Sequence, residues 1–324
     1  MESEPPLMKL RRGGRLKTAE TVRILYRDGG TGGVVGSAER LKQFLEVRGH
    51  SVETCNLAAL TSYVKLGIQI RPRQLNILWC SSPSAIGHHS AVARITSGEK
   101  WLFLHAASEA QIDSFVAKSP SNHRQLRVFD RIFCNNSSLA DCINQTGTAA
   151  VIRSCFSPLS YTIPPTSQRS HDIVIACGGA ASSSIYRVAH AVDALQKAYS
   201  GDGMSSGRKL HLILYGPGSQ EPYHGPDFVH VHRDLDQVGC AKLISKSTLF
   251  LRPTSKDGDS ILVRDALDAG VRVIASDVCP RPAGVEVYSG GSDALAAAIL
   301  DGGNLSSGEG LGGPIGEEIV RRFA

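Results

Sequence analysis

A fold of the α/β class, made of two successive units that each carry a parallel sheet, is predicted from three observations. Short apolar, β-branched runs alternate with helical segments along most of the chain. The alternation halts once, at a stretch of prolines and serines over residues 155–171, and then restarts. The 324 residues, 42% of them apolar, also exceed what a single core usually fills, about 250–300 residues.

In the first unit residues 22–26 read as a strand, 28–36 as a glycine-rich turn, and 37–48 as a helix with Leu41, Phe44 and Leu45 on one face. Gly49 ends that helix. Strands follow at 51–55, 75–80, 100–104, 128–134 and 149–153, with 81–90 read as a loop. After the break, 172–177 is a strand, 185–199 a helix, 209–215 and 228–232 strands, and 235–245 a helix. The expected boundaries are 1–20 for a basic, disordered leader, 21–157 for the first domain, 158–170 for a linker and 171–300 for the second domain. A Gly/Ser tail with a terminal helix over 316–323 fills 301–324.

The most informative stretch is LFLRPTSKDGDSILVRDALDAGVRVIASDVCPRP, residues 249–282. Leu249–Leu251 is too short and apolar for a helix, Pro253 stops it, and 271–275 is a β-branched run after Gly270. Between them one helix occupies 261–269, with Ser260 as its cap and Gly270 in the chain-reversing position. Backbone N–H groups of Gly258, Asp259 and Ser260 at the helix entrance would face outward, where the dipole favours a phosphate. Asp257 and Asp265 can both reach the crevice beyond the strand ends, where open α/β sheets bind ligands. A carboxylate only accepts hydrogen bonds, so such a pair suits the neighbouring hydroxyls of a ribose or hexose. The plainer reading is that acids at a helix start complement its dipole.

This stretch resembles the retaining glycosyltransferases of family 4, which carry an acid, seven residues and a second acid ahead of a small-residue helix and a PVIAS-like strand. Asp257, Asp265, Ala266, Leu267, Gly270 and Val273-Ile274-Ala275-Ser276 match. The wording is closest to a bacterial subgroup reading RPT, DGDS, VREAL and ASDVxPRP, here Arg252-Pro253-Thr254, residues 257–260, 263–267 and 275–282. The order of elements over roughly residues 21–300 fits as well. The resemblance implies a GT-B fold, two Rossmann-like domains facing a central cleft. It implies transfer of a sugar from a nucleoside diphosphate sugar, as co-substrate, to an acceptor hydroxyl on a glycan, a lipid-linked molecule or a small molecule, with no other cofactor and no catalytic metal. Asp257 with the amides of Gly258 and Asp259 would hold the donor sugar and Asp265 the ribose. Gly32 and His105 would contribute from the first domain, His105 by a hydrogen bond to a sugar hydroxyl.

The loop of Gly29-Gly30-Thr31-Gly32-Gly33 lets backbone approach a ligand closely. The resemblance places Gly30 and Thr31 on the acceptor side, with His88 of the 81–90 loop as a further acceptor-side candidate or an exposed residue. The same glycines also allow a loose dinucleotide fingerprint, with Glu53 as its ribose acid and an NAD(P)-dependent oxidoreductase as the function. Family members usually carry Arg and Lys in the loop after the first strand of the second domain. Here residues 178–184 hold no cation, so Arg187, one helical turn on, Arg252 or Arg264 would have to neutralise the leaving diphosphate. A catalytically weak protein retained as a binding scaffold is the other alternative. The second acid is Asp265 where the family usually has Glu.

Eight cysteines without CxxC pairs, and no leading apolar segment, argue for a reducing compartment and a cytoplasmic protein. No apolar run reaches the ~18–20 residues that span a bilayer. The net charge of +5 is partly local, with Lys9, Arg11, Arg12, Arg15 and Lys17 inside nine residues. That cluster reads as a disordered tail, or as a patch for peripheral contact with an anionic inner membrane face. Nothing matches a nucleic-acid-binding module. His230 and His232 point to one face of a strand, without a third ligand at convincing spacing.

Overall fold

A computed structural model describes residues 21–27, 33–57, 74–80, 86–104, 124–135, 137–145, 151–153, 169–199, 208–216, 218–258, 260–301 and 315–323. Its first half holds strands β1 (Thr21–Tyr26), β2 (Ser51–Asn56), β3 (Gln74–Cys80), β4 (Glu99–Leu104), β5 (Arg131–Cys134) and β6 (Val151–Arg153). Helices α1 (Gly33–Glu46), α2 (Ile86–Ile95) and α3 (Ser137–Gln145) lie between them. The second half holds β7 (Ile173–Gly178), β8 (Leu210–Tyr215), β9 (Val229–Arg233), β10 (Leu249–Arg252), β11 (Arg272–Ser276) and β12 (Val285–Tyr288). Its helices are α4 (Val188–Ala198), α5 (Gln237–Lys246), α6 (Ile261–Asp268) and α7 (Ser292–Asp301), and α8 (Ile315–Phe323) ends the chain.

The strands form two six-stranded sheets, β2-β1-β3-β4-β5-β6 and β12-β11-β10-β7-β8-β9. Every pair is parallel. Parallel sheets need both faces covered, and each sheet here is the middle of three layers. In the first, Ala38, Leu41, Phe44 and Leu45 of α1 join Ile24, Trp79 and Phe103 on one face, while Ile86 and Val92 of α2 and Leu139 and Ile143 of α3 join Leu25, Leu78 and Leu102 on the other. The second is built alike, with α4 and α7 on one face and α5 and α6 on the opposite one. Helix α8 returns to the first sheet, where Ile315 and Ile319 are buried beside α1 and Arg322 reaches Glu99 at 2.8 Å.

Several elements depart from the sequence reading. Residues 81–90 are not a continuous loop, because α2 begins at Ile86; its apolar Ile86, Val92 and Ala93 are separated by Ser and His, which hides the helical period. His89 is buried there, its Nε2 3.0 Å from the Trp79 carbonyl, and His88 is half-buried. Helix α3, strand β12 and helix α7 were not expected. Helix α1 starts four residues earlier than the glycines suggested, at Gly33, and α4 starts at Val188 because 181–186 form turns. The expected linker, the basic leader and the Gly/Ser tail lie almost wholly outside the described residues, and no helix among those described is long and apolar enough to cross a membrane.

Candidate functional site

In the second sheet β7 and β10 are neighbours, yet the helix after β7 covers one face and the helix after β10 the other. A crevice therefore opens beyond their carboxyl ends, the usual ligand position of such sheets. The loop after β10 carries Asp257 and the loop after β7 runs to Arg187. The two loops are stitched together: Ser255 donates from its backbone N–H to the Ile185 carbonyl at 2.8 Å and from its hydroxyl to the Ser184 carbonyl at 3.0 Å. Tyr186 covers Arg252, whose guanidinium lies 5.2 Å from the ring centre. A Cβ at Gly178, the last residue of β7, would meet the Tyr186 hydroxyl, so a larger residue there would have to displace that side chain.

Asp257 sits in a buried ion triad. Arg252 donates from Nη2 to Oδ1 at 2.8 Å and from Nε to Oδ2 at 2.9 Å, and Arg281 donates from Nη1 to Oδ2 at 2.7 Å. Burial opposes the charged carboxylate, but the two guanidinium groups outweigh it and hold the Asp257 carboxyl well below the usual range. Arg281 also donates from Nε to the Ser276 carbonyl at 2.9 Å, and Ser276 Oγ to the Thr254 carbonyl at 2.6 Å. The triad thus ties together the ends of β10 and β11 and the loop to Gly258. Asp265, in the second turn of α6, is buried as well and receives both terminal nitrogens of Arg40 from α1, at 2.6 and 2.7 Å.

The remaining candidates divide as follows. Gly30, Thr31, Gly32, His105 and Asp259 lie outside the described residues. Ser260 occupies the N-cap of α6 in an extended conformation without a side-chain bond to the helix, and Gly270 follows the helix at φ 66°, as its sequence position suggested. Arg264 is half-buried on α6, and its backbone N–H reaches the Ser260 carbonyl at 3.3 Å. Arg252 is committed to Asp257 and to the Ala176 carbonyl, 3.3 Å from Nη1. Arg187 stands at the N-cap of α4 and not a turn inside it, in a left-handed conformation with φ 49° and ψ 44°. It lines a cavity of about 600 Å³ with Ser182, Ser183, Ser184, His190 and Gly290. Burial, then the Arg187 charge, lower the His190 pKa. Glu53, the ribose acid of the dinucleotide reading, pairs with Arg23 at 3.2 Å.

Sequence reasoning missed Arg40, Gln237, Tyr186, His190 and Arg281 as members of this region. Only Arg281 carried a signal, since it falls inside the matched ASDVCPRP run. It also missed the surroundings of His232. His232 Nε2 lies 2.8 Å from His211 Nδ1, and His211 Nε2 lies 3.3 Å from Asp172. Burial, followed by His211 and His230, lowers the His232 pKa. A histidine whose folded value is depressed stabilises the fold above its unfolded value, near 6.5, and loses that contribution as pH falls through the folded value. The melting temperature of the His232→Gln variant is therefore expected to fall less between pH 7 and pH 5 than that of the wild type. Parallel curves in a thermal-shift titration would remove this assignment.

Two Rossmann-like units with six-stranded parallel sheets define the GT-B fold, and the chain has that fold. It is similar to the structure of Anabaena HepE in complex with UDP and glucose, at 13% identity over 87% of this chain and 89% of that one, TM-score 0.59. The apo structure of OtsA matches at 10% identity over 87% and 90%, TM-score 0.58. A Listeria monocytogenes protein described as a UDP-N-acetylglucosamine 2-epimerase matches at 10% identity over 87% of each chain, TM-score 0.53. No protein-family model and no curated protein matches the sequence.

Proposed function

We propose that this protein is a glycosyltransferase of the family 4 type, transferring a hexosyl group with retention of configuration from a nucleoside diphosphate sugar to an acceptor hydroxyl on a glycan, lipid or small molecule in the cytoplasm. The observation that carries the reading is the switch point of the second sheet. There the cavity of serine hydroxyls, Arg187 and His190 adjoins a loop whose geometry is fixed by the Asp257 triad. Arg187 and the serines offer donors to a diphosphate, and the Gly258 amide with Ser260 offers donors to the sugar. Asp265 supplies acceptors for ribose hydroxyls once Arg40 moves away. Asp257 acts as a positioning residue in this scheme, because its oxygens are already engaged by arginines. Gly30, Thr31, Gly32, His88 and His105 are assigned to the first-domain side of the cleft, His105 next to the reacting sugar. No metal has a role in the scheme, and the basic leader is a candidate for peripheral membrane contact. HepE holding UDP and glucose in a similar fold supports this reading.

The fold also serves a protein described as an epimerase, so chemistry must be tested directly. Purified protein should bind one of UDP, GDP, ADP or dTDP saturably in calorimetry, and Asp265→Ala should abolish that binding. Incubation of the corresponding nucleotide sugar with candidate acceptors should then yield free nucleotide in proportion to a glycosylated product. Epimerised nucleotide sugar without acceptor dependence would overturn the transferase reading, as would binding of NAD(P) alone.

A further inference from the structure

Arg40 and Asp265 belong to different halves of the protein, yet they form a fork-on-fork pair. The guanidinium donates from Nη1 to Oδ1 at 2.6 Å and from Nη2 to Oδ2 at 2.7 Å, and its Nε donates to Gln237 Oε1 at 3.3 Å. Both partners are almost fully buried, at 3% and 1% exposure. The surrounding packing is close. A Cβ on Gly36, one turn earlier in α1, would lie 2.8 Å from Gln237 Nε2, and Ile261 of α6 packs against the core beneath α1. Helix α1 is thus seated on the first turns of α5 and α6. A bidentate pair of this kind is strong and geometrically specific, and removing one partner leaves a buried charge without compensation.

Asp265 has two carboxylate oxygens, and one guanidinium faces both. The proposed function needs the same two oxygens for a pair of ribose hydroxyls, and with Arg40 seated on the carboxylate Asp265 is almost inaccessible, so a nucleotide reaches it only when Arg40 moves. We propose that the Arg40–Asp265 bridge is a latch: it holds the two halves against each other in the ligand-free protein and opens when vicinal hydroxyls of a nucleotide replace Arg40 on the carboxylate. The latch itself follows from the bridge, whereas the competition rests on the ribose assignment made above. Apparent affinity is reduced by the fraction of protein in the competent state, so removing the latch must raise it.

The test uses the full chain, UDP, GDP and ADP as probes, calorimetry for affinity and small-angle scattering for the ligand-free shape. Arg40→Gln is expected to bind the preferred nucleotide about tenfold more tightly than the wild type and to show a larger ligand-free radius of gyration. The reversed pair, Arg40→Asp with Asp265→Arg, should restore the wild-type radius, and it serves as the second variant if Arg40→Gln does not fold. Arg40→Lys keeps the charge and loses the fork, and should fall between the two. An unchanged radius in Arg40→Gln overturns the latch. A larger radius with unchanged or weaker nucleotide affinity overturns the competition. If neither wild type nor variant binds any of the three nucleotides, the nucleotide reading fails while the radius still decides the latch.

Discussion

Replacing Asp257 by alanine is expected to destabilise the protein by about 3–5 kcal/mol, the usual cost of removing one partner of a buried ion pair. The cost arises because Arg252 and Arg281, both nearly inaccessible to water, would be left facing each other with no anion between them. Asp257→Asn keeps the shape and loses the charge, and should cost less because its carbonyl, placed where Oδ2 lies, still accepts two of the three hydrogen bonds. The two variants also differ from the wild type in acid. The Asp257 carboxyl is held well below its unfolded value of 3.8, so its contribution is complete above that value and is lost as pH falls through the folded one. The gap in stability between wild type and Asp257→Asn should thus be widest near neutral pH and close below pH 4. Chemical denaturation at a series of pH values measures both effects. A loss of under about 1 kcal/mol for the alanine variant at pH 7 would show that the triad is hydrated and contributes as an exposed pair does.

The parts of the fold that could be read from the sequence are those with an uninterrupted local signal. β10, α6 and β11 were legible because Pro253, Ser260 and Gly270 each mark a boundary, and the apolar runs between them keep one period. Strand β12 was not, because Val285-Glu286-Val287-Tyr288 is a four-residue strand that, among the described residues, pairs with β11 alone and carries no flanking run. Helix α7 is rich in alanine, which reads equally as a small-residue tail. His88 read as an acceptor-side or exposed residue of a polar segment, and nothing there set its neighbour His89 apart. Its burial follows from a carbonyl acceptor on β3, ten residues away, which no local pattern reveals. The same holds for the candidate site. The acids at 257 and 265 announced themselves by spacing, but their partners Arg40, Arg252 and Arg281 are fixed by tertiary packing. The sequence therefore suggested carboxylates open to a ligand, whereas the fold has each one occupied by an arginine.

Under the proposed function, Arg187→Gly is expected to lower sugar transfer about a hundredfold, in the range seen when a single donor to a developing oxyanion is removed, while leaving stability unchanged or slightly raised. The two halves of this expectation have separate causes. Arg187 is one of two non-glycine residues with positive φ among those described, and holding a side chain in that region costs on the order of 1–3 kcal/mol. Glycine adopts the same backbone without that cost. The strain is thus retained for the side chain and not for the turn. What the side chain supplies in that scheme is a cation lining the cavity, beside a loop whose residues 178–184 otherwise offer only amides and hydroxyls. Arg252 is not a substitute, since its guanidinium is committed to Asp257 and Ala176. The loss should appear mainly in kcat, because charge on the leaving diphosphate grows toward the transition state and an interaction that strengthens there accelerates the chemical step. Arg187→Lys, which keeps the charge and gives up the planar fork, should recover part of the rate. Steady-state kinetics and thermal unfolding on the same samples separate the cases. An active Arg187→Gly enzyme would assign diphosphate stabilisation to the backbone amides at the start of α4, and a destabilised one would make Arg187 a structural residue of the turn.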